Sequence, residues 1–281
     1  MILVTGATGT VGREVVAQLV AKGERVRAMT RNPEKTQPDS RVELVRGDFD
    51  APDTLVAAVR GADRVFSLTG GPQTPGHDKN LAEAAKKAGV KRVVKLSAMG
   101  GDETTRNDIR KWHDAGAQAF RDAGLPLTVL LPTGFMSNAL HWRGMIKAQG
   151  KVFSNYGEGK LPYVHPRDIA AVAAVALTAD GHEGKAYPLT GPEALSVGEQ
   201  VRILSEATGR EIAFVAISDE EARAGMQKSG MPGFVIDALI PFASFIRSGK
   251  AARVENTVEK VTGRKALTFV DWARENAGAF A

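Results

Sequence analysis

Short apolar runs recur through the first half of the chain, and between them apolar residues return at helical spacing. The runs at 2–5, 25–30, 42–45, 64–68, 92–96 and 127–131 predict strands, and the stretches at 54–59, 79–88 and 108–123 predict helices. Gly61, Gly89 and Gly124 stand where these helices should end and the next strand begin, because glycine takes the left-handed backbone that closes a helix. Alternation of this kind implies right-handed crossovers and a parallel sheet covered on both faces.

Beyond Leu131 the pattern is less regular. Residues 150–159 read as a glycine-rich loop and 161–165 as a returning strand, after which Asp168 should cap an alanine-rich helix over 169–177. Past Tyr187, the pairs Ser196/Glu199 and Ser218/Glu221 mark capping boxes of shorter helices. The apolar stretch 234–246 contains Pro241, which predicts a kinked or broken helix, mainly core with a partial lining role. The expected division is a sheet domain over 1–133 and about 152–185. A smaller, mostly helical C-terminal lobe takes about 134–151 and 186–281.

The first strand runs directly into Gly6, Ala7, Thr8, Gly9, Thr10, Val11 and Gly12, and Val11, Val15, Val16 and Leu19 then follow at helical spacing. Strand, glycine turn and helix N-terminus make a dinucleotide site. The glycines let the backbone approach a pyrophosphate, and the free N–H groups and dipole of the helix favour its charge. The spacing is G-x-x-G-x-x-G, a variant of the G-x-G-x-x-G fingerprint. The fold expected is therefore α/β, a doubly wound parallel Rossmann sheet with the smaller lobe packed over its strand ends. At the end of the second strand, where an acid would hold the ribose of NAD, stands Arg31, and 26–32 contains no Asp or Glu. A guanidinium pairs with a 2′-phosphate, so NADP(H) is the expected cofactor.

Composition narrows the chemistry further. There is no cysteine among the 281 residues, which removes disulfides, thiol nucleophiles and thiolate metal sites. No run approaches the length of a membrane span, and the first strand leaves no room for a signal peptide, so a cytoplasmic protein is expected. The net charge of +5 is spread among interleaved acids, with no continuous nucleic-acid footprint. The 5 histidines show no metal-ligand spacing.

In their order along the chain, several motifs resemble the NmrA-like branch of the atypical short-chain dehydrogenases, including its quinone-reductase-like members. They are Thr5-Gly-Ala-Thr-Gly-Thr-Val-Gly12, Thr30-Arg-Asn32, Gly47-Asp-Phe49 and Ala84-Ala-Lys-Lys-Ala-Gly-Val90. Leu96-Ser-Ala98, Leu131-Pro-Thr-Gly-Phe-Met-Ser-Asn138, His165-Pro-Arg-Asp-Ile-Ala170 and Leu189-Thr-Gly-Pro192 complete the set, and the resemblance covers nearly the whole chain. It implies that Asp48 and Phe49 border the adenine, that Leu68, Thr69 and Gly70 pass along the ribose and phosphates, and that Ser97, Pro132 and Phe135 lie near the nicotinamide. Two positions depart from the family. Relatives often have Arg at Leu131 and Glu at Ala117, which weakens transfer of any particular substrate.

Ordinary short-chain dehydrogenases use a tyrosine and a lysine four residues later, on the helix after the fifth strand, to exchange a proton with the substrate oxygen. Here the tyrosines are Tyr156, Tyr163 and Tyr187, none of them between the fifth and sixth strands. Tyr156 and Lys160 match the spacing, but in a glycine-containing loop, and read as coincidence. Quinones need less help than alcohol-level carbonyls, because the reduced anion is delocalised and takes its proton from water. The expected activity is thus NADPH-dependent hydride transfer to a quinone or similarly conjugated small-molecule acceptor. The alternative is a non-enzymatic NADP(H) sensor with a regulatory protein partner. A homodimer is compatible with either. Met99, Asn138 and Tyr163 are candidate pocket residues, and Ser97 and His113 candidate catalytic ones. His113 either donates a proton, given its near-neutral ordinary pKa, or packs beside Trp112.

Overall fold

The computed structural model describes residues 1–37, 39–100 and 108–281. In the first half β1 (Ile2–Val4), α1 (Thr10–Ala21), β2 (Val26–Thr30), β3 (Val42–Arg46), α2 (Pro52–Val59) and β4 (Arg64–Leu68) come first. They are followed by α3 (Thr74–Lys87), β5 (Arg92–Leu96), α4 (Asp108–Asp122) and β6 (Leu127–Pro132). The second half holds α5 (Arg143–Gln149), β7 (Lys151–Ser154), α6 (Pro166–Thr178), β8 (Ala186–Leu189), α7 (Val197–Thr208) and β9 (Ala213–Ala216). The last helices are α8 (Asp219–Lys228), α9 (Gly233–Arg247), α10 (Thr257–Thr262) and α11 (Phe269–Asn276).

Among the described residues, seven strands form one parallel sheet in the order β3-β2-β1-β4-β5-β6-β8. This is the doubly wound Rossmann arrangement. Its strands are apolar on both faces because both are covered. In β1, Ile2 and Val4 pack toward α1 and α6, while Leu3, on the opposite face, packs toward α2, α3 and α4. The order reverses between β1 and β4, and this opens a crevice beyond the carboxyl ends of the strands. A third core, with Met136, Ile146, Leu204, Phe269 and Trp272, lies in the smaller lobe. That lobe also contains a two-stranded parallel sheet, β7 with β9.

The second half differs from the sequence expectations in several places. Residues 161–165 form no strand; they make only single bridges, Leu161 to Leu195 and Val164 to Phe135. The seventh sheet strand is β8, beyond the expected boundary at 185, and Val258 of α10 joins the core under α6. Asp168 is not the cap of α6. His165 is, its Nδ1 accepting from the backbone N–H of Arg167 at 3.0 Å, with Pro166 at the first helical position. The Asp168 carboxylate instead accepts from the Leu267 N–H at 2.7 Å and pairs with Arg264 at 2.8 Å, tying α6 to the C-terminal segment. α9 continues through Pro241 rather than breaking there.

Candidate active site

The glycine turn is built by close backbone contact. Gly6 has φ +61°, in the left-handed region, and its carbonyl accepts from the Gly9 N–H at 3.0 Å. A Cβ on Gly12 would lie 2.0 Å from the Gly6 oxygen, so only glycine lets α1 start this close to β1. Thr8, Gly9 and Thr10 remain exposed above the turn. α1 has Gly9 at its N-cap, with no side-chain cap and no acid in its first turn, leaving its N–H groups to an outside anion. This cradle fits a pyrophosphate.

Arg31 follows β2, exposed, and its guanidinium makes no ion pair or hydrogen bond among the described residues. A cavity of about 710 Å³ opens beside it, with Thr8, Arg13, Asn32 and Lys35 among its lining residues. Arg13 and Lys35 were not singled out in the sequence, where a basic residue on an exposed helix or loop carries no signal of its own. Asp48 and Phe49 follow β3. The Asp48 N–H donates to Thr54 Oγ1 at 2.9 Å, and the Phe49 ring stacks on His77 at 5.2 Å. Leu68 touches Gly6, where an added Cβ would meet it at 3.2 Å, and Gly70 is exposed after β4. The Thr69 side chain turns away into a buried polar cluster, described below.

On the acceptor side, Ser97 and Met99 continue β5, donating their backbone N–H groups to Leu130 and Pro132 at 2.8 and 2.9 Å. Ser97 is 5% exposed, and its Oγ has no hydrogen-bond partner among the described residues. The Arg110 guanidinium holds the carbonyls of Ala98 and Met99 at 3.0 and 2.6 Å. Pro132 is buried and Phe135 half-buried, bridged to Val164. Asn138 is exposed on a short 3₁₀ helix, Met136–Trp142. Tyr163 is placed differently from its expected pocket role. It is buried in the core of the smaller lobe, packed against Gly134, and burial pushes its pKa up. Tyr156 is half-buried against the same core, while Lys160 pairs with Glu199 at 2.6 Å, so these two form no Tyr/Lys pair.

His113 lies on α4 with Nδ1 buried and unpartnered among the described residues. Burial, then the charge of Lys95, lower its pKa to about 4. The proton-donor reading, which rested on an ordinary near-neutral pKa, is corrected on this point: the imidazole is neutral at physiological pH. Its neighbour Trp112 packs edge-on against Phe234 of α9 at 5.5 Å.

Beneath these residues lies a pair the sequence reading missed. Lys95 of β5 and Asp78 of α3 are both fully buried and meet at 2.5 Å. Thr69 Oγ1 donates to Asp78 at 3.1 Å and accepts from Lys95 at 3.2 Å, and Ser67 donates to Asp78 at 3.0 Å. The signal available was a lysine inside the otherwise apolar run 93–96. Among the described residues, no group of three or more His, Asp or Glu is placed to hold a metal, and no helix is long and apolar enough to cross a membrane.

A sheet of this order, with a glycine turn at its first crossover and an open crevice at the strand ends, defines a dinucleotide-dependent α/β protein. Comparisons with known proteins specify it further. The NAD(P)H-binding family model matches residues 6–180. A (4-alkanoyl-5-oxo-2,5-dihydrofuran-3-yl)methyl phosphate reductase of Streptomyces griseus is 43% identical, with 100% of this chain and 99% of that protein covered. An NAD(P)H azoreductase of Xenophilus azovorans is 40% identical, over 100% and 99%. The solved NADPH complex of an Escherichia coli quinone oxidoreductase superposes with a TM-score of 0.86 at 25% identity, covering 98% of this chain and 99% of that one. The chain belongs to the NAD(P)H-binding family. It is an NAD(P)H-dependent oxidoreductase.

Proposed function

We propose that the protein is an NADPH-preferring reductase of conjugated acceptors, such as quinones, azo compounds or carbonyls conjugated to a carbon–carbon double bond. One observation carries this reading: among the described residues, the Ser97 hydroxyl and a neutral His113 are left unpartnered near the end of β5, with no tyrosine–lysine pair beside them. When bound, the nicotinamide supplies a hydride. The chain's own residues then have to orient the acceptor, keep water away and hydrogen-bond the atom on which charge collects. A delocalised anion needs no side-chain acid and takes its proton from water. The substrate named for the Streptomyces griseus relative has a double bond conjugated to two carbonyls, and the azo bond named for the Xenophilus azovorans relative is also conjugated.

Preference for NADPH rests on Arg31, free of internal partners, with Arg13 and Lys35 at the adjoining cavity. The test is cofactor oxidation, followed optically, against a quinone, an azo dye, a conjugated enone and an isolated ketone, with NADPH and NADH side by side. Turnover of the conjugated acceptors, NADPH-selective and absent with the isolated ketone, supports the reading. Tight NADPH binding with no turnover of any acceptor rejects it in favour of a sensor.

A further inference from the structure

The Asp78–Lys95 pair has no part in the glycine turn, yet it lies behind the point where the strand order of the sheet reverses. Ser67, Thr69 and Lys95 share one face, because Ser67 is in register with Lys95 and side chains alternate along a strand. Asp78 reaches that face from the second turn of α3. α4 closes over the carboxylate at Gly116, where a Cβ would lie 2.0 Å from Asp78 Oδ2. Burying two charges is costly, and well-packed apolar residues of similar volume hold such elements together as well or better. Packing alone therefore gives no reason for charges here.

What the pair adds is a grip on one residue. Thr69 is the first residue past β4, beyond the last ladder partner Leu68. Its hydroxyl donates to Asp78 at 3.1 Å and accepts from the Lys95 ammonium at 3.2 Å. Leu68 is held from the opposite face: its N–H donates to Thr5 Oγ1 of the β1 end at 2.8 Å, and its side chain lies against Gly6. Gly70 then stands exposed. The chain at 68–70 is thus fixed from both faces of the sheet and bare at its tip, beside the crevice that the reversal between β1 and β4 opens. α3 holds the neighbouring strand end too, with Asn80 Nδ2 donating to the Phe49 carbonyl at 3.0 Å.

We propose that Asp78 and Lys95 are positioning residues for the cofactor. By holding the Thr69 hydroxyl between a carboxylate and an ammonium, they fix the backbone at 69–70 on which the dinucleotide rests. Neither side chain touches the cofactor, since both are fully buried. The effect is the same for both nucleotides, because the 2′-phosphate is met elsewhere, at Arg31. The proposal rests on the dinucleotide lying in this crevice and is independent of which acceptor is reduced.

The experiment titrates NADP⁺ and NAD⁺ calorimetrically into Thr69→Val, which keeps the shape and removes the hydroxyl, and into Thr69→Ser, which keeps the hydroxyl. Thr69→Val should weaken both nucleotides by the same factor, about 2- to 30-fold for a group acting through its neighbours. Thr69→Ser should recover most of that loss. The same Thr69→Val step is then repeated in Asp78→Asn/Lys95→Met, which removes both charges together and strands neither. There it should weaken binding by a clearly smaller factor, because members of one network couple. A Thr69→Val protein that melts lower yet binds both nucleotides as wild type does would make the cluster a structural device alone and overturn the proposal. So would an equal loss in the two backgrounds, since the charges would then not act through Thr69. If the double variant does not fold, the valine and serine comparison decides alone. Failure of the crevice placement itself has a separate signature: Gly9→Ala would then bind both nucleotides as tightly as wild type.

Discussion

Replacing Arg31 by alanine isolates the contact on which cofactor choice rests. The side chain is exposed and holds no internal partner, so its removal breaks nothing within the protein. Surface substitutions of this sort change stability by less than about 0.5 kcal/mol. A charge-assisted hydrogen bond to a phosphate is worth roughly 1.5–3 kcal/mol, so Arg31→Ala should weaken NADP⁺ binding by about 10- to 150-fold. NAD⁺ has no 2′-phosphate and should bind as before. Arg31→Glu adds repulsion and should widen the gap. Isothermal titration calorimetry with each nucleotide, at low and at high salt, reads this directly; the NADP⁺ loss should shrink as salt screens the exposed pair. Equal losses for both nucleotides, or no loss for either, would remove Arg31 from the phosphate site.

Other expectations follow from the same geometry. Gly12→Ala drives a Cβ into the Gly6 backbone at 2.0 Å, so thermal melting should show a loss on the order of 1–3 kcal/mol together with loss of both cofactors. Gly9→Ala meets only the Gly6 oxygen, at 3.3 Å, and should melt close to wild type while binding either nucleotide more weakly. His113 has a native pKa lowered to about 4 from 6.5, so below pH 6.5 the unfolded chain binds a proton that the native one does not. Stability is therefore retained above 6.5 and lost as pH falls toward 4, by on the order of 2–3 kcal/mol. His165 and His182 are also lowered, so the comparison is with His113→Gln, whose denaturant midpoint should fall less steeply over that window. Arg110→Met releases the Ala98 and Met99 carbonyls and should raise the acceptor KM without weakening NADPH binding; an unchanged KM would make that clamp irrelevant to the acceptor.

The first half of the molecule was legible because its strands are apolar on both faces and its helices close on glycines. The second half hid its topology for identifiable reasons. β8 contains Pro188, which argues against a strand unless the strand lies at a sheet edge, as β8 does. Residues 161–165 are apolar and extended, but they find only isolated bridges. α3 starts at Thr74, earlier than expected, because Pro75 is tolerated in a first helical turn. In the candidate site, the glycine turn could be read from spacing alone, as could the place of Arg31 just after β2. The Asp78–Lys95 pair could not, since its partners come from separate elements that only the fold brings together. Tyr163, inside the segment 161–165, was a candidate pocket residue, and its packing against Gly134 shows that it belongs to the core of the smaller lobe.

The most direct measurement uses NADPH deuterated at C4, on each face in turn, with a conjugated enone as acceptor in ordinary water. Direct hydride transfer without a side-chain acid should place deuterium from one face only on the carbon distal to the carbonyl. Hydrogen on the neighbouring carbon should come from solvent, and a kinetic isotope effect should accompany that face alone. Product without deuterium from either face would contradict direct transfer and put another redox carrier between NADPH and the acceptor.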